Sequence, residues 1–355
     1  MIHTDIDIKE EGIIADFGKD VLLILLREHA YDRNNKEHHK EHHIYWATDN
    51  YEQEGNGFGF FDEIQIENIT GIYNSLIRPR ASKTKEEQEK RTKDKAEVFT
   101  PSWICNKQNN IIDEAWFGYK NVFNTEIINT NGSHDWIPNN KKIIFPDNKK
   151  WEDYVLEPQL EIACGEAPYL VSRYDTTTGK PINDLLKRVG LLDRKLRIVS
   201  ENVTTQKDWF FWGLAALKST YGFEWQGDNL LLAREAILYT FQDYYKEFAQ
   251  KHNIKPIIPS KNIIKLAAKI ISWNIFQMDG IKMVLPLSCH DNIIKGERIK
   301  NLFEDIETQD KTTPCLGCKK NDIHEHNGVY QLVASWDKNI DEPIEIVEFH
   351  TLIQK

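Results

Sequence analysis

Three stretches of this chain end an apolar run on residues that can do chemistry. The first is LEIACGEAPYL, Leu160 to Leu170, which closes on Ala163, Cys164 and Gly165. Small residues there let backbone approach a ligand. The second, TYGFEWQGD, ends on Glu224, and the third, NIFQMDG, ends on Asp279. In an open α/β sheet, ligands bind outside the carboxyl ends of the strands. A small residue at the first end suits an adenosine-containing ligand. A carboxylate at the second would accept both ribose hydroxyls, and one at the third an adenine amino group. The same residues also suit an α/β protein with no ligand there. The first turn lacks Gly-x-Gly-x-x-Gly, and the interval from Gly165 to Glu224 far exceeds the about 20 residues of a dinucleotide fold. A plain dinucleotide fold is therefore not expected.

A fourth segment lies upstream, KAEVFTPSWICNKQNNIIDEAWF, Lys95 to Phe117. A Pro suits the first turn of a helix, a Thr can cap it, and the free N–H groups face an anion. With this segment the chain resembles the S-adenosylmethionine-dependent adenine-N6 DNA methyltransferases of restriction-modification systems. More narrowly, it resembles the small chains called restriction endonuclease subunit M. In that family a Val-Phe-Thr-Pro segment holds the methionine end of the cofactor; here it reads Val98-Phe99-Thr100-Pro101. The family's next motif, Asp-Pro-Ala-Cys-Gly-x-Gly-x-Phe-Leu, is matched at Ala163-Cys164-Gly165 and at Tyr169-Leu170. Glu161, Ile162 and Ala167 replace its Asp, Pro and second Gly.

The resemblance covers roughly residues 96 to 285. It implies S-adenosylmethionine held by Phe99, Thr100, Pro101, Ala163, Cys164, Gly165, Glu224 and Asp279. It also implies DNA as substrate and a specificity or restriction partner chain. The family's Asn/Asp-Pro-Pro-aromatic, which presents the flipped adenine amine, is missing after Asp279, where the chain reads GIKMVLPLSCHDN. Only Glu166-Ala167-Pro168-Tyr169 has the right ending, which makes Glu166 and Tyr169 the candidate base contacts. The second reading is accordingly a non-catalytic nucleic-acid-binding or partner subunit that keeps the methyltransferase fold. A third, a metal nuclease built on Pro146-Asp147 and Glu161, lacks the Lys of that pattern.

Near the end, PCLGCKKNDIHEHNG supplies Cys315, Cys318, His324 and His326. Cys-x-x-Cys aims two thiolates at one point, and His-x-His on a strand puts both rings on one face. Two sulfurs and two nitrogens suit a tetrahedral, structural Zn²⁺; a reduced turn with exposed His is the alternative. Cys105 and Cys289 read as lone buried thiols. The HHKEHH run, His38 to His43, reads as surface decoration, and Trp209, Trp212, Trp225 and Trp273 as core or pocket wall.

The elements that must position these groups divide the 355 residues into three parts. Residues 1–95 read as an α+β region with a turn at EGNGFGFFDE and strand-like HIYWAT and DEIQIENIT. Residues 96–290 alternate strands and amphipathic helices, an α/β domain with a Rossmann-like methyltransferase sheet. Residues 291–355 read as a small zinc-ribbon-like Cys/His tail. A helix should follow TYGFEW, capped by Asp228 or Asn229, and another should span KNIIKLAAKIISW. RPRASKTKEEQEKRTKDK, Arg78 to Lys95, carries eight basic and four acidic residues. It suits a solvated helix or a phosphate-contacting arm. A net charge of −10 speaks against non-specific coating of nucleic acid. No run approaches the about 18 apolar residues of a membrane span. The start lacks a basic region followed by an apolar one, and five scattered cysteines suit a reducing compartment. A cytoplasmic protein with no membrane partner is the expectation.

Overall fold

Parallel strands with their carboxyl ends aligned form the centre of the protein. The computed structural model describes residues 9–32, 41–95, 97–294, 298–300, 305–307 and 311–353. Within these the chain is a mixed α/β protein with ten α-helices. Two short helices, α1 (Glu10–Phe17) and α2 (Lys19–Leu26), lead into β1 (Arg27–Glu28), which pairs with β2 (His42–His43). Then come α3 (Lys85–Lys95), α4 (Ser102–Phe117), the hairpin β3 (Asn124–Ile128) and β4 (His134–Pro138), and α5 (Trp151–Leu156). The central sheet is made of β5 (Gln159–Glu161), β6 (Thr220–Glu224) and β7 (Ile275–Gln277), all parallel, with β6 in the middle. Between these strands run α6 (Leu191–Asn202), α7 (Gln206–Lys218), α8 (Gly227–Lys251) and α9 (Lys261–Asn274). Beyond lie β8 (Asn292–Ile294), β9 (Arg298–Lys300), β10 (Asp305–Glu307), β11 (Lys311–Thr313), α10 (Leu316–Lys320), β12 (Leu332–Ser335) and β13 (Glu345–Glu348).

The α/β class expected from the sequence is present. Its sheet is smaller than a full Rossmann-like sheet, because three strands are the most that any sheet contains among the described residues. Their register puts Glu161 beside Gly222 and Glu224 beside Gln277, so all three carboxyl ends open on one edge. The hairpin β12–β13 covers part of the sheet, where Val333 and Phe349 pack with Phe223, Phe276 and Met278. DEIQIENIT is not a strand: it holds a short 3₁₀ turn, Ile66–Asn68, and only Glu63 bridges to Tyr45. Its Ile64, Ile66 and Ile69 are buried together, a spacing that a turn satisfies and an extended strand does not.

Helix α8 organises the core, and its Arg234 explains how a buried cation is tolerated. The guanidinium donates to the carbonyls of Leu25, Arg27, Ser272 and Ile275. It thereby satisfies carbonyls at the ends of α2 and α9 that helices leave unpaired. The helix begins at Gly227, with Gln226 as its N-cap, and not at the predicted caps Asp228 or Asn229, whose side chains face inward. Gly227 is required by close approach. Its N–H donates to Trp46 O, and a Cβ there would lie 2.0 Å from Tyr45 O. Gly227→Ala should therefore lower the unfolding free energy by more than about 2 kcal/mol, as overpacking does, read from a urea melt. No loss of stability would show that the Tyr45 segment shifts freely.

Candidate functional site

Outside the carboxyl ends of β5 and β6 lies a cavity of about 740 Å³. The sequence expectation placed eight residues around a cofactor, and six of them line this space: Phe99, Thr100, Ala163, Cys164, Gly165 and Glu224. Each arrives for a local reason. After Glu161 the chain turns with positive φ at Ala163, Gly165 and Ala167 (48°, 54° and 58°). Alanine in that region is strained, and such strain concentrates at functional turns. The turn is held because Cys164 N–H donates to Phe223 O at 2.8 Å and Gly165 N–H to Glu224 Oε2 at 2.8 Å.

Glu224 is thus fixed at the end of the central strand, with Oε1 accepting the Gln226 N–H at 3.2 Å. Burial pushes its carboxyl up to about 7, against the lowering effect of these N–H donors. Each carboxylate oxygen has acceptor capacity beyond the one N–H it takes here, and the residue lines the cavity. Glu161, the next strand end, is raised well above the usual range by burial and accepts the N–H groups of Tyr169 and Leu170. The Trp225 indole lines the cavity, its Nε1 donating to Ala47 O at 3.0 Å. Ala47 itself is brought there by Gln277, whose amide exchanges hydrogen bonds with Tyr45 N and O.

Two of the eight residues fall elsewhere. Asp279 is not in the cavity wall: it lies beyond β7 in a turn that bridges to Val284, and its Oδ1 accepts the N–H groups of Ile281 and Lys282. Pro101 is the N-cap of α4 and also lies outside the wall. Thr100 does not cap that helix. The Ser102 N–H, expected to face a ligand carboxylate, donates instead to Asp175 at 2.7 Å. A protein carboxylate already occupies this helix N-terminus.

Of the candidate base contacts, Tyr169 lines the cavity, while Glu166 is buried away from it. The Glu166 carboxylate accepts the Arg80 N–H and the Tyr174 hydroxyl. Asp147 is exposed and far from forming a metal group with Glu161, since neither belongs to the one such group found among the described residues.

Sequence reasoning missed Glu97, Gln226 and Asn229, which also line the cavity. They belong to a buried network. Arg91 donates to Glu97, to Gln226 and to Asp228, and Tyr51 donates to Asp228 at 2.7 Å. Arg91 lies in the segment read as a solvated helix or phosphate arm, and its burial corrects that reading at this position. Burial opposes the Asp228 charge, yet Arg91 and the neighbouring buried Lys83 bring its carboxyl down to about 2. The available signal was the lone Arg among lysines in α3, since guanidinium suits buried, multi-partner pairing better than ammonium. The Trp readings hold in outline: Trp209 is core, Trp225 is cavity wall, and Trp273 lines a smaller cavity against His29. His38 and His39 lie outside the described residues; His42 and His43 bond Glu63 and Ile64 O.

The second site is in the tail. Cys289, Cys315, Cys318 and His326 bring their ligand atoms within 4.8 Å of one another, a Cys₃His group that could hold a metal ion. The His326 Nδ1 lies 3.4 Å from Cys289 Sγ, 3.6 Å from Cys315 Sγ and 3.7 Å from Cys318 Sγ. Cys289, read as a lone thiol, takes the place given to His324. The segment carrying His324 and His326 is a turn and not a strand, so alternate residues do not share a face. His324 packs edge-on against His350 instead. Cys105 behaves as expected, buried with its thiol toward Thr100 O.

No protein-family model matches the chain, and neither a curated protein nor a solved structure matches it. Among the described residues no helix is long and apolar enough to cross a membrane.

Proposed function

We propose that this chain binds S-adenosylmethionine in the cavity and methylates the N6 amino group of adenine in DNA, as the modification subunit of a restriction-modification system. A Rossmann-like methyltransferase domain completed by a specificity or restriction partner chain is part of this reading. The observation that carries it is the convergence of Phe99–Thr100, Ala163–Gly165 and Glu224 on one cavity at the carboxyl ends of parallel strands. The cofactor supplies an electrophilic methyl group on a sulfonium. The chain's own residues bind and orient. Glu224 accepts the ribose hydroxyls, the Trp225 ring offers an apolar face to the base, and Gly165 lets backbone lie close beneath the ligand.

Calorimetry with S-adenosylmethionine and S-adenosylhomocysteine tests the binding half. Micromolar binding to the full chain is expected, and no binding of either removes the reading. The sequestered Glu166 and the missing tetrapeptide favour a second reading, a non-catalytic subunit that keeps the cofactor fold. Labelled cofactor with DNA of mixed sequence separates the two: label in adenine supports methyl transfer, and binding without label supports the second reading.

We also propose that the Cys₃His group holds a structural Zn²⁺. Three sulfurs and one nitrogen fill a tetrahedral shell and leave no open position for catalysis. Asn327 supports the donors by giving its N–H to Cys315 Sγ, while its side chain ties to the His290 backbone beside Cys289.

A further inference from the structure

One wall of the cavity is neither helix nor strand. Residues 97–100 run as coil between α3 and α4, and all four line the space. Coil has no ladder of backbone hydrogen bonds to fix its course, so its shape is set by what its side chains and carbonyls hold. The far end of this coil is well tied. The Phe99 ring lies against Gly165, where a Cβ would come 3.4 Å from it, and the Thr100 carbonyl accepts the Thr176 hydroxyl at 3.1 Å. The near end is tied through the Glu97 side chain, and that side chain is held by Arg91.

Arg91 is buried in α3 and lies outside the cavity wall. Its Nε donates to Glu97 Oε2, while Nη2 donates to Asp228 Oδ2 at 2.6 Å and to Gln226 Oε1 at 3.3 Å. Gln226 is the N-cap of α8, Asp228 is in its first turn, and the Gln226 N–H is the one that Glu224 accepts. One planar fork therefore joins the coil wall to the junction that carries Glu224 and Trp225. Both carboxylates are buried, so water does not substitute for the guanidinium, and a point charge does not reproduce its parallel donors. We propose that Arg91 is a positioning residue for the ligand. Without touching it, the guanidinium clamps the coil that carries Phe99 and Thr100 to the helix that follows Glu224, and so sets the separation of two walls that must reach one molecule. This rests on the reading of the cavity as a cofactor site and adds the residue that holds its walls together.

The experiment is calorimetry with S-adenosylhomocysteine on the full chain and on Arg91→Lys, well below the melting temperature of each. A lysine keeps a cation beside Asp228 but has no fork to hold Glu97 at the same time. Affinity should fall about tenfold or more, the effect of losing a charge-assisted hydrogen bond. A purely structural role would lower the melting temperature and leave affinity alone. Arg194→Lys provides that comparison: Arg194 is also buried, pairs with Asp113 and lies outside the cavity, so its variant should melt earlier and keep wild-type affinity. Glu97→Ala breaks the same clamp from its other end, should lose affinity by a similar factor, and serves alone if Arg91→Lys does not fold. The two effects should not add, and the double variant should bind no more weakly than the weaker single one. Wild-type affinity in Arg91→Lys or Glu97→Ala overturns the role of Arg91 and leaves the cofactor reading standing. Losses that add in the double variant, or an equal loss in Arg194→Lys, overturn it as well. No binding by the wild type overturns the cofactor reading, and this inference with it.

Discussion

Glu224→Gln should weaken S-adenosylhomocysteine binding by about 100-fold or more at pH 7.5, since two hydrogen bonds to a charged acceptor become bonds to a neutral one. The same substitution should flatten the pH dependence of stability, and the sign follows from burial. The carboxyl is raised from about 4.5 to about 7 in the folded chain. Between those values the folded protein keeps a proton that the unfolded chain has released. The stability tied to this group is complete below the lower value and is lost as pH rises through about 7. A shift of this size corresponds to about 3 kcal/mol. Urea melts at pH 5 and pH 8 should show the ligand-free wild type losing about that much relative to Glu224→Gln. Ribose hydroxyls demand the ionised form, so affinity should climb about tenfold per pH unit up to about 7 and release a proton on binding. A pH-independent affinity in the wild type would mean that Glu224 does not meet the ligand.

Cys289→Ser should abolish stoichiometric zinc, whereas His324→Ala should retain it. Removal of a second-shell group costs a site about 10–100-fold in affinity, and loss of a thiolate ligand should cost more. The consequence is structural. Cys289 precedes β8 and Cys315 follows β11, and these strands pair antiparallel, so a metal would clamp the base of that ladder to α10. Structural zinc contributes folding free energy directly, so a chelator should lower the melting temperature of the wild type and of His324→Ala but leave Cys289→Ser where it already is. The cluster is tight enough to limit substitution: a Cβ on Gly317 would lie 2.7 Å from the His326 ring. Metal analysis of the purified variants decides the ligand set. Zinc kept in Cys289→Ser and lost in His324→Ala would restore the Cys₂His₂ arrangement that the sequence suggests.

Much of the cavity was legible in the sequence because its parts are local. A strand that ends in small residues, and a strand that ends in an acid before a long apolar helix, are patterns of consecutive residues. Parallel pairing then aligns their ends without further instruction. Glu224, Gly165 and Phe99 fall into place for that reason. Asp279 does not, because its strand stops two residues earlier, at Gln277, and the carboxylate turns back on its own backbone. Asn229 was visible only as a candidate helix cap. Its side chain is held instead by Glu97, 132 residues away in the chain, which is itself paired with Arg91 six residues before it.

The sequence by itself determined the α/β class, the long helices, the acidic strand end at Glu224 and the Cys-x-Gly-Cys turn. Each follows from periodicity or from residues within one turn or strand. Only the tertiary structure decided that Ser102 already has its anion in Asp175, that Glu166 is buried against Arg80 and Tyr174, and that Cys289 and not His324 meets the other two cysteines. The physical reason is the same in each case. A polar group is committed to whichever partner the packing brings within hydrogen-bond reach, and burial makes that commitment obligatory. Spacing along the chain reports which groups can face one way, but not which partner arrives first.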